Sequence, residues 1–185
     1  MKRKDAIDSV MATIDSEDAV VSTTGLISRE IFERFDSYRN IYIPGSMGLA
    51  SSIGLGLAIS FPKRRVVIID GDAGLLMNLG SMVTIGNKQT NNLLHIVFDN
   101  NAYGSCSEEK SMSNTAHFER LAADVGYRYV RTVHSQVGLK NAILMFEKGP
   151  GFILAKIDLG GRRDFRRPLK LAEIKNRFMR FYRKT

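Results

Sequence analysis

The chain has 185 residues, one cysteine (Cys106) and no run of about 18 uncharged apolar residues. A single cysteine excludes a disulfide framework and a cysteine-based zinc cluster. The missing apolar run excludes a helix that spans a bilayer. Residues Met1 to Asp5 are basic and lead into an amphipathic stretch without the apolar core of a secretion signal, so the expected compartment is the cytoplasm. Internal repeats, low-complexity tracts and linkers are also lacking. With 44% hydrophobic and 25% charged residues the composition is that of an ordinary globular chain, which excludes extensive disorder and collagen-like or mucin-like architectures. The expectation is one domain over residues 1–185.

Charge is unevenly placed. Ten of the 27 basic residues (Arg162, Arg163, Arg166, Arg167, Lys170, Lys175, Arg177, Arg180, Arg183 and Lys184) and only two of the 19 acids (Asp164 and Glu173) fall in residues 162–185. The first 161 residues hold 17 charges of each sign and are neutral. A neutral body is not that of a general nucleic-acid binder, and nucleic acid is not the expected partner, although an arginine-rich tail suits phosphates. Leu171, Ile174, Phe178 and Phe181 recur at helical spacing, which predicts an amphipathic basic helix packed back on the protein.

Hydrophobic periodicity predicts alternating elements. Ile7, Val10, Met11 and Ile14 form one helical face. Strands are expected at 19–22, 40–43, 65–70, 93–98, 128–132 and 152–157. Helices are expected around Ile27, Ile31 and Phe35, then at 49–60, where Gly54 and Gly56 would allow close packing, and at 75–85, 118–125 and 137–147. The runs at 65–70 and 93–98 are continuously apolar, as in strands buried on both faces. The fold class is therefore α/β, a three-layer α/β/α sandwich with a mostly parallel sheet.

Ligands in such sheets bind beyond the carboxyl ends of the strands. Three polar, glycine-rich loops fall there: 44–48, 71–74 and 99–105. Asp72 and Asn100 lie one helix and one strand apart, which sets their loops side by side. A glycine-flanked helix start suits a phosphate, and an aspartate beside it requires an intervening cation. Asp72 and Asn100 supply two hard oxygens for Mg²⁺, with diphosphate oxygens and a loop carbonyl completing an octahedron.

Gly71-Asp72-Ala73 followed by Asp99-Asn100-Asn101 resembles the cofactor motif of thiamine diphosphate-dependent enzymes. The segments 20–30, 45–58 and 71–80, together with the close of the chain from Asp164 to Met179, resemble more narrowly the phosphonopyruvate and sulfopyruvate decarboxylases. The resemblance implies thiamine diphosphate and Mg²⁺ as cofactors. It implies a cofactor-binding set of Thr24, Gly25, Gly45, Ser46, Met47, Gly71, Asp72, Ala73, Gly74, Asn100, Ala102, Tyr103, Gly104 and Ser105. Asp72, the Asn100 side chain and the Ala102 carbonyl match the metal ligands. Ala73, Gly74, Gly104 and Ser105 match groups that meet the diphosphate. The Gly45 carbonyl matches the acceptor for the aminopyrimidine, and Met47 the apolar residue beneath the thiazolium. Thr24 and Gly25 match positions that touch cofactor or substrate.

Two departures stand out. Ala73 occupies the motif's second glycine position and Gly74 the usual serine. A methyl group at 73 narrows the turn, so either Gly74 exchanges roles with it or the grip on the cofactor is weakened. The family's catalytic glutamate, which protonates the cofactor's pyrimidine, belongs to a separate pyrimidine-binding domain. Glu17, Glu30 and Glu33 read as surface residues and poor substitutes, so no catalytic residue is expected in this chain. The expectation is the β subunit of a hetero-oligomer whose α subunit donates the glutamate. The expected reaction is decarboxylation of a small anionic 2-oxo acid. Its head group would meet cations, among which Arg162, Arg163, Arg166, Arg167 and Lys110 are candidates. A split carboligase of the acetolactate synthase type and a non-catalytic module of the same fold remain alternatives. Cys106 lies near the site without a base beside it, and His95 reads as a buried structural histidine.

Overall fold

The computed structural model describes residues 1–183, and Lys184, counted above in the basic tail, lies outside the described residues. Six strands form one wholly parallel sheet in the order β2-β1-β3-β4-β6-β5: β1 (Ala19–Ser22), β2 (Asn40–Tyr42), β3 (Val66–Gly71), β4 (Leu93–Asp99), β5 (Tyr129–Val133) and β6 (Gly151–Lys156). The chain runs from β1 outward to β2, then returns to β3 on the other side of β1. That reversal opens a crevice at the carboxyl end of the sheet.

Helices cover both faces. On one, Ile7 and Val10 of α1 (Arg3–Thr13), Ile31 and Phe32 of α2 (Leu26–Phe35), and Leu139 and Ile143 of α8 (Gln136–Leu144) pack on Val20, Val67, Ile69 and Ile96. On the other, α3 (Ala50–Ser60), α5 (Gly80–Lys88) and α7 (Phe118–Asp124) pack on Val21, Ile68, Val97 and Leu154. The three-layer expectation holds because β3, β4 and β6 carry apolar residues on both sides of the pleat. A Cβ at Gly54 would sit 2.4 Å from Ile68 Cδ1, so this glycine sets how closely α3 lies on the sheet. Gly56 does not share the role: nothing lies within 4 Å of its Cβ position.

Two further expectations are corrected. The helix expected over 75–85 is two helices, α4 (Asp72–Leu76) and α5, separated at Met77–Leu79. The Asn78 amide donates to the Gly48 carbonyl at 2.9 Å and to Ser52 Oγ at 3.2 Å, tying the break to the start of α3. The basic helix is α9 (Leu171–Arg183), but Leu171 is exposed and its buried seam is Ile174, Phe178 and Tyr182. Ile174 joins one apolar core and Phe178 and Tyr182 the other, so α9 packs across the β2 edge of the sheet. A short helix unsuspected from the pattern, α6 (Ser113–Ala116), follows the 99–105 loop.

Candidate functional site

The carboxyl ends of β1, β3 and β4 surround a cavity of about 320 Å³. Thirteen of the fourteen site residues named from the sequence line it: Thr24, Gly25, Gly45, Met47, Gly71, Asp72, Ala73, Gly74, Asn100, Ala102, Tyr103, Gly104 and Ser105. Ser46 does not line it and is exposed. The three loops are laced together around the cavity. Thr24 Oγ1 accepts from the Gly45 N–H at 3.0 Å, and Ser105 Oγ accepts from the Leu26 N–H at 3.0 Å. The Gly45 carbonyl accepts from the Met47 N–H at 2.9 Å, leaving one lone pair for another donor.

The loop after β4 explains why Asn100, and not its neighbours, meets the cavity. Asp99 is fully occupied as a staple: it accepts from the Asn101 N–H (3.0 Å), the Asn101 amide (3.1 Å), Ser113 Oγ (2.7 Å) and Lys156 Nζ (2.5 Å). Asn101, at φ 57°, is turned toward Asp99 and Ser113. Asn100 remains, its Oδ1 accepting the Ala102 N–H at 3.0 Å in an Asx turn. Residues 102–110 then fold as a tight hairpin, closed by an Ala102–Lys110 bridge and a 2.8 Å hydrogen bond from the Tyr103 N–H to the Glu109 carbonyl. The sequence Glu108-Glu109-Lys110 forms the far side of this hairpin.

Asp72 opens α4 and is almost wholly buried. Burial pushes its carboxyl up to about 6. Hydrogen bonds from Ser111, the Ala73 backbone and Ser113 pull it down, and the charge of Asp99 pushes it further up. A carboxylate in this condition fits a cation. Among the described residues no three His, Cys, Asp or Glu side chains gather elsewhere as a metal cluster. The donor set here is of another kind, one carboxylate with amide and backbone oxygens, and these hard oxygens suit Mg²⁺.

The glycine at 74 has a physical reason of its own. Ala73 lies in an ordinary helical turn. At Gly74 a Cβ would stand 2.7 Å from Asp70 Oδ1 and 3.2 Å from Thr23 Oγ1. Asp70 is wholly buried and accepts the Gly71 N–H at 2.8 Å, so it cannot step aside. It also stands 3.6 Å from His95 Nε2, whose ring meets the Tyr127 hydroxyl at 3.4 Å, consistent with a structural His95.

Two expectations about charged residues fail. Glu30 is not on the surface: it is 3% exposed and paired with Arg3 at 2.8 Å and Arg34 at 3.4 Å. It does not line the cavity, where Asp72 is the only carboxylate among the described residues. None of Arg162, Arg163, Arg166, Arg167 and Lys110 lines the cavity either. Arg162 is paired with Glu33 and Asp164, Arg163 with Glu108, and Arg166 lies over the Phe32 ring. Among the described residues the cations that do line it are Arg3 and Arg29, single arginines on helices whose local pattern is that of solvated surface. Thr23, Leu26, Ile27, Phe98, Cys106 and Ile157 complete the wall. Cys106 is exposed there.

Comparison with known proteins bears on this geometry. Residues 24–157 match the family described as thiamine pyrophosphate enzyme, C-terminal TPP binding domain. The chain is 36% identical over 179 residues to a phosphonopyruvate decarboxylase of Streptomyces viridochromogenes, covering 95% of this chain but 45% of that protein, less than half its length. It is 40% identical over 132 residues to the sulfopyruvate decarboxylase β subunit of Methanocaldococcus jannaschii, covering 71% of this chain and 70% of that one. With the corresponding β subunit of Methanococcus maripaludis the identity is 35% over 171 residues, 91% of each. A solved structure from Mycobacterium smegmatis, described as a thiamin diphosphate-dependent enzyme, superposes with a TM-score of 0.70 at 16% identity. It covers 87% of this chain and 32% of that one and is a likeness of fold.

Proposed function

The chain belongs to the thiamine pyrophosphate enzymes, as their C-terminal TPP-binding domain, and from that premise we propose that it is the β subunit of a Mg²⁺-dependent 2-oxo acid decarboxylase. The observation that carries the proposal is the meeting of Asp72 and Asn100 in one cavity at the ends of adjacent strands β3 and β4. Asp72, Asn100 and the Ala102 carbonyl would hold Mg²⁺. The backbone of Ala73 and Gly74, with Gly104 and Ser105, would hold the diphosphate. Gly45 and Met47 would face the rings, and Thr24 and Gly25 would close the β1 side. When bound, thiamine diphosphate supplies the electron sink that lets a 2-oxo acid lose carbon dioxide.

The work of this chain is orientation. Thr24 fixes the Gly45 turn, and Ser105 ties the loop after β4 to the start of α2, so the two walls of the cavity hold one spacing. Leu26, Ile27, Phe98 and Ile157 keep water from part of that wall. The proton chemistry is assigned to a glutamate of a pyrimidine-binding α subunit, because no glutamate of this chain lines the cavity among the described residues. Exposed Leu49 (44%) and Met77 (60%), on the segments beside Met47 and α4, support a partner surface next to the site. The substrate is proposed to be phosphonopyruvate or sulfopyruvate, the acids named for the similar decarboxylases. Mixing the chain with its α subunit, thiamine diphosphate and Mg²⁺ should release carbon dioxide from one of these acids faster than from pyruvate. Robust decarboxylation by the isolated, homogeneous chain would defeat the two-subunit assignment.

A further inference from the structure

We propose that Arg29 recognises the anionic head group, phosphonate or sulfonate, of the 2-oxo acid. The inference rests on the decarboxylase reading and adds to it the residue that selects the substrate class. Among the described residues two cations line the cavity, and they differ in what holds them. Arg3 is buried and committed: its Nε donates to Glu30 at 2.8 Å and its Nη2 to the Arg162 carbonyl at 2.6 Å. Arg29 is partly buried, and among the described residues its guanidinium has no carboxylate partner. The acid one turn further along α2, Glu33, is taken by Arg162 at 2.5 Å and by the Arg166 N–H at 3.3 Å. The adjacent acid, Glu30, is taken by Arg3 and Arg34.

Arg29 also stands where a cation is unfavourable. It closes the first turn of α2, a turn with no acid, so its charge adds to the positive end of the helix dipole. An arginine left unpaired there, on the wall of a cavity, concentrates positive charge where a tetrahedral oxyanion can take two of its donors at once. Asp72 and Asn100 open from β3 and β4, whereas Arg29 enters from the β1 side. The proposed diphosphate anchor and the proposed head-group anchor therefore come from different strand ends, as a cofactor and its substrate require.

The test uses the chain reconstituted with its α subunit, comparing wild type with Arg29→Gln and Arg29→Lys. Three quantities are read: calorimetric affinity for thiamine diphosphate, affinity for sulfoacetate and phosphonoacetate against acetate, and the kcat/KM ratio of the phosphonate- or sulfonate-bearing 2-oxo acid over pyruvate. Arg29→Gln should lower both the probe preference and the kcat/KM ratio on the order of 10- to 100-fold. Arg29→Lys should recover part of each, and cofactor affinity should hold within about twofold of wild type, well under the tenfold that one lost charge-assisted hydrogen bond produces. Weakened cofactor binding with the acid preference intact would overturn the proposal in favour of the diphosphate. Equal binding of acetate and the sulfonate and phosphonate probes by wild type would overturn it outright. If wild type takes up no cofactor, the decarboxylase reading fails by itself, and Arg29-dependent binding of the probes would still support the anion site.

Discussion

Asp72 ties the chemistry of the site to the acidity of the solution. Its carboxyl is held at about 6 against an ordinary 3.8, so without a cation folding draws a proton onto it. The sign follows: its contribution lowers stability as pH rises from about 4 to about 6, by about 3 kcal/mol at most, and is constant above. A divalent cation opposes this because it binds the carboxylate. Apparent Mg²⁺ affinity should rise with pH through about 6, with one proton released per cation below that value. Thermal unfolding at several pH values with and without Mg²⁺ checks both trends, and Asp72→Asn should abolish them. A second residue, Gly74, answers whether the serine usual at its position has merely been lost. Gly74→Ser should destabilise the chain by about 1–3 kcal/mol, because its Cβ collides with Asp70, and should not tighten cofactor binding. Denaturant titration reads the first effect and calorimetry the second. The meeting of Asp72 and Asn100 in one cavity was legible because β3 and β4 read as apolar strands, each followed by a polar loop at its carboxyl end. Glu30 was misread because what buries it, Arg3, comes from another helix, and no local pattern records that pairing. Ser46 lies off the cavity wall: its loop borders the cavity, but the residue itself is exposed.

At the scale of elements, the strands were more legible than the helix ends. Buried strands such as β3 and β4 are written as unbroken apolar runs, and each lies within about two residues of its expected bounds. The interruption between α4 and α5 was not legible, since Leu75, Leu76, Leu79 and Met82 continue one apolar pattern across it. The cause is distant, in the hydrogen bonds that Asn78 makes to Gly48 and Ser52. The interruption matters for the site because it ends α4 after one turn and leaves Met77 exposed beside the cavity loops. In α9 the helical repeat was correct, but Leu171, its first apolar residue, has no core to enter. The part that does pack should be essential. Phe178 is 2% exposed and its ring lies 4.3 Å from that of Tyr182. Phe178→Ala should cost about 3–5 kcal/mol, read as a lowered midpoint in urea, whereas Leu171→Ala should be nearly neutral.

For the whole molecule, the sheet order places β1, β3 and β4 at the point where the chain reverses, and that placement turns three separate loops into one cavity. The fold class was legible from the alternation of periods. The strand order was not, because nothing local states which strand follows which across the sheet. The basic tail also changes meaning at this scale. Arg162, Arg163 and Arg177, three of its ten basic residues, are matched by Glu33, Glu108 and Asp36 and bind the tail to the body. A partner surface should lie instead at the uncharged rim near Met77. Met77→Glu should reduce co-purification with the α subunit while leaving the unfolding free energy within about 0.5 kcal/mol of wild type, as for an exposed position. The most direct measurement is a calorimetric titration of thiamine diphosphate into the chain reconstituted with its α subunit, with and without Mg²⁺, for wild type and Asp72→Asn. Uptake that requires both Mg²⁺ and Asp72 is the predicted result, and uptake indifferent to either one contradicts the account.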